Sequence, residues 1–307
     1  MRFNRCGVLL KDYIGDSVMA SALVRSLAAN SGELTLAASP TVRELLRFPN
    51  FQPNLVEVGR LSKPVQLWNV AQQLRRAKLQ AIFLVNRSFR SALAARLSGT
   101  PIRVGHSTEG RSWLLTHAVR YDEAENEAQS YLHLAQALDI QTPFTTPELY
   151  VSEEERAAGL RQLQGATVGI QPGARHDYKE IPVAVLLSLV DWLKEHGKRI
   201  AYFGGPEERG KLQDLGDSAV DLVGKTTLRG TLAALSGLEL MIGGDTGVMH
   251  LAASVGTPTV TAFGRTPTSK WGWFTAPHQV LQAPNGNMSD LSADELIATV
   301  ERALCAG

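Results

Sequence analysis

The sequence is written in a rhythm that leaves few folds open to it. Short, almost wholly apolar runs alternate with longer amphipathic stretches from one end to the other. The runs are Gly7–Leu10, Leu34–Ala37, Ala81–Val85, Ile102–Val104, Thr167–Ile170, Ile200–Phe203, Leu238–Ile242 and Thr259–Phe263. Helical patterns lie between them: Asp16–Ala29, Thr41–Arg47, Val65–Arg76, Ser91–Leu97, Ser130–Leu138, Val183–Glu195, Glu207–Leu215, Leu228–Ser236 and Met249–Val255. Strands buried on both faces lose the alternation of a half-exposed strand. Strand and helix in strict alternation predict parallel sheets covered by helices on both faces.

The rhythm breaks once, at the proline- and threonine-rich stretch Gln141–Pro147, and restarts at Thr167 after an acidic helix start at Ser152–Glu155. A chain of 307 residues is long enough for two domains, each with its own core. The expected division is residues 1–155 and 156–307, two α/β halves of similar size. A last helix near Ala293–Cys305 could pack on either half.

Charge divides the chain as well. Residues 1–111 hold 16 basic and 6 acidic side chains, whereas residues 151–307 hold 14 and 18. The basic half suggests an anionic partner, although scattered solvated arginines would give the same sum. An apolar content of 44% excludes disordered and fibrous classes, and no run approaches the length of a membrane span. The apolar run Cys6–Leu10 is too brief for a signal-peptide core. Two cysteines at opposite ends, Cys6 and Cys305, offer no disulfide framework and fit a reducing cytoplasm.

In sheets of this class ligands bind beyond the carboxyl ends of the strands, and three loops there carry chemistry. Gly243-Gly244-Asp245-Thr246-Gly247-Val248-Met249-His250 follows a strand directly. A helix opening near Gly247 would aim its unpaired amides and positive dipole end at a phosphate. Asp245 is suited to sugar hydroxyls, and His250 lies one turn into the helix. Alternatively, Asp245 or Thr246 merely caps that helix; the strand–loop–helix context favours the site. Gln171-Pro172-Gly173-Ala174-Arg175-His176-Asp177-Tyr178-Lys179 presents cations at the same sheet edge, with Lys179 the candidate to neutralise a diphosphate. Lys11-Asp12-Tyr13-Ile14-Gly15-Asp16-Ser17 follows the first strand. Propensity alone makes Asp16 an N-cap; a carboxylate at that place could also act as a general base.

Other signals are missing. Only Gly15 is present where a dinucleotide fingerprint needs three glycines, and Gly224-Lys225-Thr226-Thr227 lacks the upstream glycine of a P-loop, having Ala219 there. No metal-ligand spacing and no Gly-x-Ser-x-Gly elbow occur.

Asp245 through Ala253, then Gly256-Thr257-Pro258 and Phe263-Gly264-x-Thr266, resemble the signature of glycosyltransferase family nine, which contains the ADP-heptose:lipopolysaccharide heptosyltransferases. Further segments resemble family blocks in order: Gly15-Asp16-Ser17, Arg87-Ser88 through Arg96-Leu97, Arg103-Val104-Gly105-His106, Pro172-Gly173-Ala174, Gly204-Gly205-Pro206-Glu207-Glu208 and Leu222 through Thr226. The resemblance covers nearly the whole chain. It departs at Glu180 and Ile181, which stand where an aromatic commonly precedes proline, and at Val248 and Arg265, which replace frequent prolines.

The resemblance implies a GT-B fold, two facing Rossmann-like domains with a cleft between them, the first binding acceptor and the second the nucleotide sugar. It implies an inverting transfer of heptose from ADP-heptose to the lipopolysaccharide inner core, on lipid A-Kdo or an already heptosylated acceptor. Asp16 would be the base. Lys179 and the amides around Thr246 and Gly247 would hold the ADP leaving group, Asp245 heptose hydroxyls, Glu207 the ribose, Thr226 the nucleoside and His250 the phosphates. Arg60, Lys63 and Arg87 would face the anionic glycolipid. No cofactor beyond the ADP-sugar co-substrate, no essential metal and no nucleic acid are expected. The enzyme would be cytoplasmic, peripheral on the inner face of the inner membrane. The alternatives are a family member with another donor or a non-lipopolysaccharide acceptor, a GT-B nucleotide-sugar epimerase acting on donor alone, and a non-catalytic nucleotide-binding module.

Overall fold

The computed structural model describes residues 2–59, 61–212, 219–273 and 277–305. The chain forms two compact units, Met1–Tyr150 and Val151–Gly307. Arg60 and residues 213–215 of the expected helix Glu207–Leu215 lie outside the described residues; Pro206–Leu212 is a 3₁₀ segment.

In the first unit the strands are β1 (Phe3–Leu9), β2 (Ser31–Ala38), β3 (Asn54–Glu57), β4 (Ala81–Leu84), β5 (Ile102–His106) and β6 (His117–Val119). Its helices are α1 (Ile14–Met19), α2 (Ser21–Ala29), α3 (Pro40–Leu45), α4 (Pro64–Arg76), α5 (Phe89–Leu97) and α6 (Glu127–Gln136). The sheet is wholly parallel in the order β3-β2-β1-β4-β5-β6. Ile82 and Leu84 from β4, with Leu9, Leu74 and Leu114, form a core in which every side chain is essentially removed from water.

The second unit repeats this winding. Its strands are β7 (Val168–Ile170), β8 (Ile200–Tyr202), β9 (Val220–Asp221), β10 (Leu240–Gly244), β11 (Thr259–Phe263) and β12 (His278–Gln282), in the order β12-β11-β10-β7-β8-β9. The helices are α7 (Glu153–Leu163), α8 (Val183–Glu195), α9 (Leu228–Leu235), α10 (Gly247–Ser254), α11 (Thr268–Trp271) and α12 (Ala293–Cys305). Ser152 and Glu155 form a reciprocal capping box at the start of α7, and Glu155 also pairs with Arg229 of α9. The last helix packs within this unit: Leu296 and Val300 of α12 join the core made by α8, β10 and β11.

This order has one consequence for function. The order in which strands are added reverses between β1 and β4 in the first unit and between β7 and β10 in the second, with both pairs parallel. Loops leaving the carboxyl ends of adjacent strands diverge at such a switch point and leave a crevice for a ligand. The segments that follow these four strands carry Asp16, on the first turn of α1, with Arg87, Lys179 and Asp245.

Candidate functional site

In the first unit Asp16 does not cap α1. Tyr13 is the N-cap, and its side chain makes no capping bond. Asp16 sits three residues in, 8% exposed, and its Oδ1 accepts from Lys11 Nζ at 2.5 Å and from Tyr131 Oη at 2.6 Å. Both partners lead to a second carboxylate. Glu127 is fully buried; its Oε1 accepts from Lys11 Nζ at 3.3 Å and lies 2.7 Å from Tyr131 Oη, while Arg87 Nη1 pairs with Oε1 at 2.9 Å and donates to Oε2 at 3.3 Å. Its Oε2 accepts from Tyr121 Oη at 3.0 Å. A buried carboxylate is tolerated only when paired and hydrogen-bonded, and Glu127 has two cations and two phenols around it.

Arg87 is thus committed to Glu127, with its guanidinium 4.1 Å above the Tyr121 ring. Burial pushes this guanidinium down, but Glu127, the Tyr131 and Tyr121 phenols and Asp16 together outweigh burial and hold it above its ordinary value. The loop around it is clamped by Arg111, also fully buried, whose guanidinium donates to the carbonyls of Asn86, Ser88 and His106. His106 is held by Ser130 and edge-on to Tyr121 at 5.1 Å, and burial lowers its imidazole to about 4. Lys63, by contrast, is exposed at the N-cap of α4. Asp16 and Arg87 therefore belong to one cluster, and Lys63 does not.

In the second unit the switch point joins the two loops that the sequence singled out. Lys179 Nζ donates to Asp245 Oδ2 at 2.6 Å. Two glycines seat the Lys179 loop across the sheet ends. A Cβ on Gly244 would stand 2.0 Å from the Lys179 carbonyl oxygen, and one on Gly264 would stand 2.7 Å from that of Tyr178. Neither position can carry a side chain without moving the loop. The departure from the family pattern after Lys179 has a packing reason: Ile181 enters the hydrophobic core. Glu180 closes the loop on itself, accepting from the Ala174 amide at 3.3 Å and from Lys211 at 2.8 Å.

Burial alone would raise the Asp245 carboxyl. The His250 ring, 3.7 Å from Oδ1, and the Lys179 ammonium outweigh it and hold the carboxyl at about 2. Asp245 is therefore ionised at every working pH and fixes Lys179 in place.

Thr246 occupies the N-cap of α10 without capping it. Its hydroxyl donates instead to Gln171 Oε1, and the Gln171 amide donates to both oxygens of Glu208, at 3.1 and 3.3 Å. With no side-chain cap, the first amides of α10 keep the geometry in which a helix end receives an anion. Of the adjacent glutamates, Glu207 is exposed and Glu208 is buried. Burial, with Glu207 and Glu180 nearby, raises the Glu208 carboxyl to about 7 against the pull of Gln171 and Lys211. Thr226 lies in the turn after β9, its hydroxyl 2.6 Å from that of Thr231. Beside it Thr227 caps α9.

The structure thus gathers Lys179, Asp245, Thr246, Gly247 and His250 at one sheet edge. Gln171, Lys11, Glu127 and Tyr131 complete the two clusters; Gln171 and Lys11 open loops that the sequence singled out, whereas Glu127 and Tyr131 carry no signal beyond residue type. Glu127 and Tyr131 are four apart on α6 and share a face, but they lie more than 110 residues from Asp16. Among the described residues no group of three or more His, Cys, Asp or Glu side chains is placed to hold a metal ion, and no helix is long and apolar enough to cross a membrane.

Residues 67–299 match the family model described as glycosyltransferase family 9 (heptosyltransferase). Lipopolysaccharide heptosyltransferase 2 of Escherichia coli K12 is 24% identical over 295 residues, covering 84% of this chain and 82% of that protein. Lipooligosaccharide heptosyltransferase 2 of Haemophilus influenzae is 26% identical over 293 residues, with 84% and 82% covered. Two solved structures share the fold. A family 9 glycosyl transferase from Veillonella parvula superimposes with a TM-score of 0.88 at 20% identity, covering 100% of this chain and 98% of that one. The E. coli ADP-heptose heptosyltransferase II does so with 0.85 at 22%, covering 100% and 99%. The GT-B class of fold, α/β with two Rossmann-like parallel sheets, agrees with both.

Proposed function

Starting from the fact that this chain belongs to glycosyltransferase family 9, we propose that it transfers heptose from ADP-heptose to the inner core of lipopolysaccharide with inversion at the anomeric carbon. One observation carries the reading of the second unit: Lys179 is anchored on Asp245 beside a helix N-terminus that no side chain caps. Positive charge fixed where a diphosphate departs stabilises the leaving group without reorganisation. The Lys179 ammonium and the α10 amides would bind ADP, Asp245 and His250 would lie beside the sugar and the phosphates, and the Glu207–Glu208 pair and Thr226 would meet the ribose and nucleoside.

In the first unit Asp16 would act as the base. The acceptor hydroxyl attacks the anomeric carbon from the side opposite the phosphate. The new C–O bond forms as the bond to the β-phosphate oxygen breaks. The hydroxyl proton passes to Asp16, and the electron pair leaves with ADP. Tyr131 and Lys11 orient the Asp16 carboxylate by donating to Oδ1.

The acceptor is read as an anionic glycolipid at a membrane surface. Support comes from the basic residues 1–111 and from α4, which exposes Val65 and Trp68 one turn apart beside Lys63, at 68% and 51%. The test is a donor panel of ADP-, UDP- and GDP-sugars with Kdo-lipid A and heptosylated lipid A as acceptors. ADP-heptose should be consumed only when acceptor is present. Turnover of donor alone would favour an epimerase, and preference for another nucleotide would overturn the donor assignment.

A further inference from the structure

We propose that Trp273 is a positioning residue that fixes the tautomer of His250, making the histidine present an Nε2–H donor beside Asp245 and the start of α10. The proposal rests on the reading of that sheet edge as the place where the nucleotide diphosphate binds. Trp273 is not among the motif residues singled out above; it follows α11, in Lys270-Trp271-Gly272-Trp273.

Trp273 Nε1 lies 3.0 Å from His250 Nδ1. An indole N–H donates and has no lone pair with which to accept. The ring nitrogen that receives it must therefore carry its own lone pair. Nδ1 is unprotonated, and the ring proton is on Nε2. Nε2 stands 3.7 Å from Asp245 Oδ1, longer than a full hydrogen bond. Lys179 meanwhile holds the other carboxylate oxygen, Oδ2. A phosphate oxygen arriving at the α10 N-terminus would offer the Nε2 proton a closer acceptor than Asp245 does.

The surroundings keep this arrangement in place. His250 is 5% exposed, with the rings of Trp271 and Trp273 centred 5.8 and 6.4 Å away. Trp273 is itself set edge-on against His278 of β12 at 5.3 Å, and His278 Nδ1 is paired with the Thr259 hydroxyl at 3.1 Å. Sheet edge, indole and imidazole form one chain of fixed orientation. Without the indole, either ring nitrogen could hold the proton, and part of the population would present a lone pair to the phosphate instead of a donor.

The test uses the full chain labelled with 15N-histidine, read by long-range 1H–15N correlation, with ADP titrations by calorimetry. Wild type should show His250 as the Nε2–H tautomer, and Trp273→Phe should show a mixture. Trp273→Phe should bind ADP about two- to fivefold more weakly, the factor by which a tautomer mixture lowers the fraction of rings that present Nε2–H. His250→Gln, whose amide nitrogen falls near the place of Nε2, should bind ADP better than His250→Asn, whose amide falls near Nδ1. An Nδ1–H tautomer in wild type, or an unchanged tautomer in Trp273→Phe, overturns the proposal. If Lys179→Ala weakens ADP while His250→Ala and Trp273→Phe do not, the proposal falls and the diphosphate site stands. If Lys179→Ala also leaves ADP binding unchanged, the site reading itself falls.

Discussion

The phenol oxygen of Tyr131 lies 2.6 Å from Asp16 Oδ1, and the same oxygen lies 2.7 Å from Glu127 Oε1. A phenol has one proton and can donate to only one carboxylate at a time. Lys11 Nζ touches the same two oxygens and has donors for both. The two carboxylates are thereby served by a shared pair of donors, each with one partner nearby and one far along the chain: Tyr131 is 115 residues from Asp16, and Lys11 is 116 from Glu127.

Removing the phenol proton should slow chemistry without disturbing nucleotide binding. Tyr131→Phe is expected to lower kcat about tenfold, the cost of one hydrogen bond to a charged group, with ADP affinity unchanged. Asp16→Asn should nearly abolish turnover while ADP still binds. Steady-state kinetics paired with ADP calorimetry separates the two effects, and retained turnover in Asp16→Asn would remove Asp16 from the role of base.

The Lys179 loop should tolerate nothing at Gly244. Gly244→Ala places a Cβ 2.0 Å from the Lys179 carbonyl, so the loop must lift and carry its ammonium away from Asp245. Both Gly244→Ala and Lys179→Ala should weaken ADP. The double variant should be little worse than the poorer single one, because both act through one group. Additive losses in calorimetry would count against this coupling.

Glu208 should cost stability as pH rises. Its carboxyl is raised from an ordinary 4.5 to about 7, so between those values the folded chain holds a proton that the unfolded chain has released. Stability therefore declines with rising pH across that window. Glu208→Gln removes the slope and should stabilise the protein by on the order of 1–3 kcal/mol at pH 8, with little gain at pH 4. Thermal unfolding at the two pH values checks this; an equal shift at both would contradict it.

Lys63 and Arg87 should part company although both were expected to face the acceptor. Lys63 is exposed, and Lys63→Glu should raise the acceptor KM and spare the donor KM. Arg87→Ala instead leaves the buried Glu127 short of a cation, at a cost of roughly 3–5 kcal/mol, and should lower both Tm and kcat. An Arg87→Ala protein of wild-type stability that changed only the acceptor KM would restore the surface role.

Transfer should proceed without added metal. Rates measured after exhaustive EDTA treatment are expected to match untreated enzyme, and recovery only on adding a divalent cation would revise the mechanism.

The inner strands were legible because burial on both faces leaves a short apolar run within each of β1, β2, β4, β5, β7, β8, β10 and β11. The strands that left no such run are β3, β6, β9 and β12, and these are the four sheet edges. Half-exposed edge strands such as His117–Val119 and His278–Gln282 share the composition of loops. Asp16–Ala29 reads as one helix, but the chain breaks at Ala20 into α1 and α2, a change that no residue type announces. At the sites, local propensity pointed to caps at Asp16 and Thr246. Tertiary partners, Tyr131 with Lys11 in one case and Gln171 in the other, took those side chains instead. Glu127 and Trp273 were invisible for the same reason: their partners are distant in sequence, and a lone acid at a helix start or a lone tryptophan carries no spacing to read.

The Asp16 cluster sets two carboxylates, Asp16 and Glu127, against two cations, Lys11 and Arg87. The charges cancel in pairs within a largely buried enclosure, where attraction at short range is strong. Taking away any one of the four leaves its partner uncompensated and short of hydrogen bonds. The cluster therefore holds or fails as a single unit, and the place of Asp16 in the first unit is secured from α6 as firmly as from its own loop.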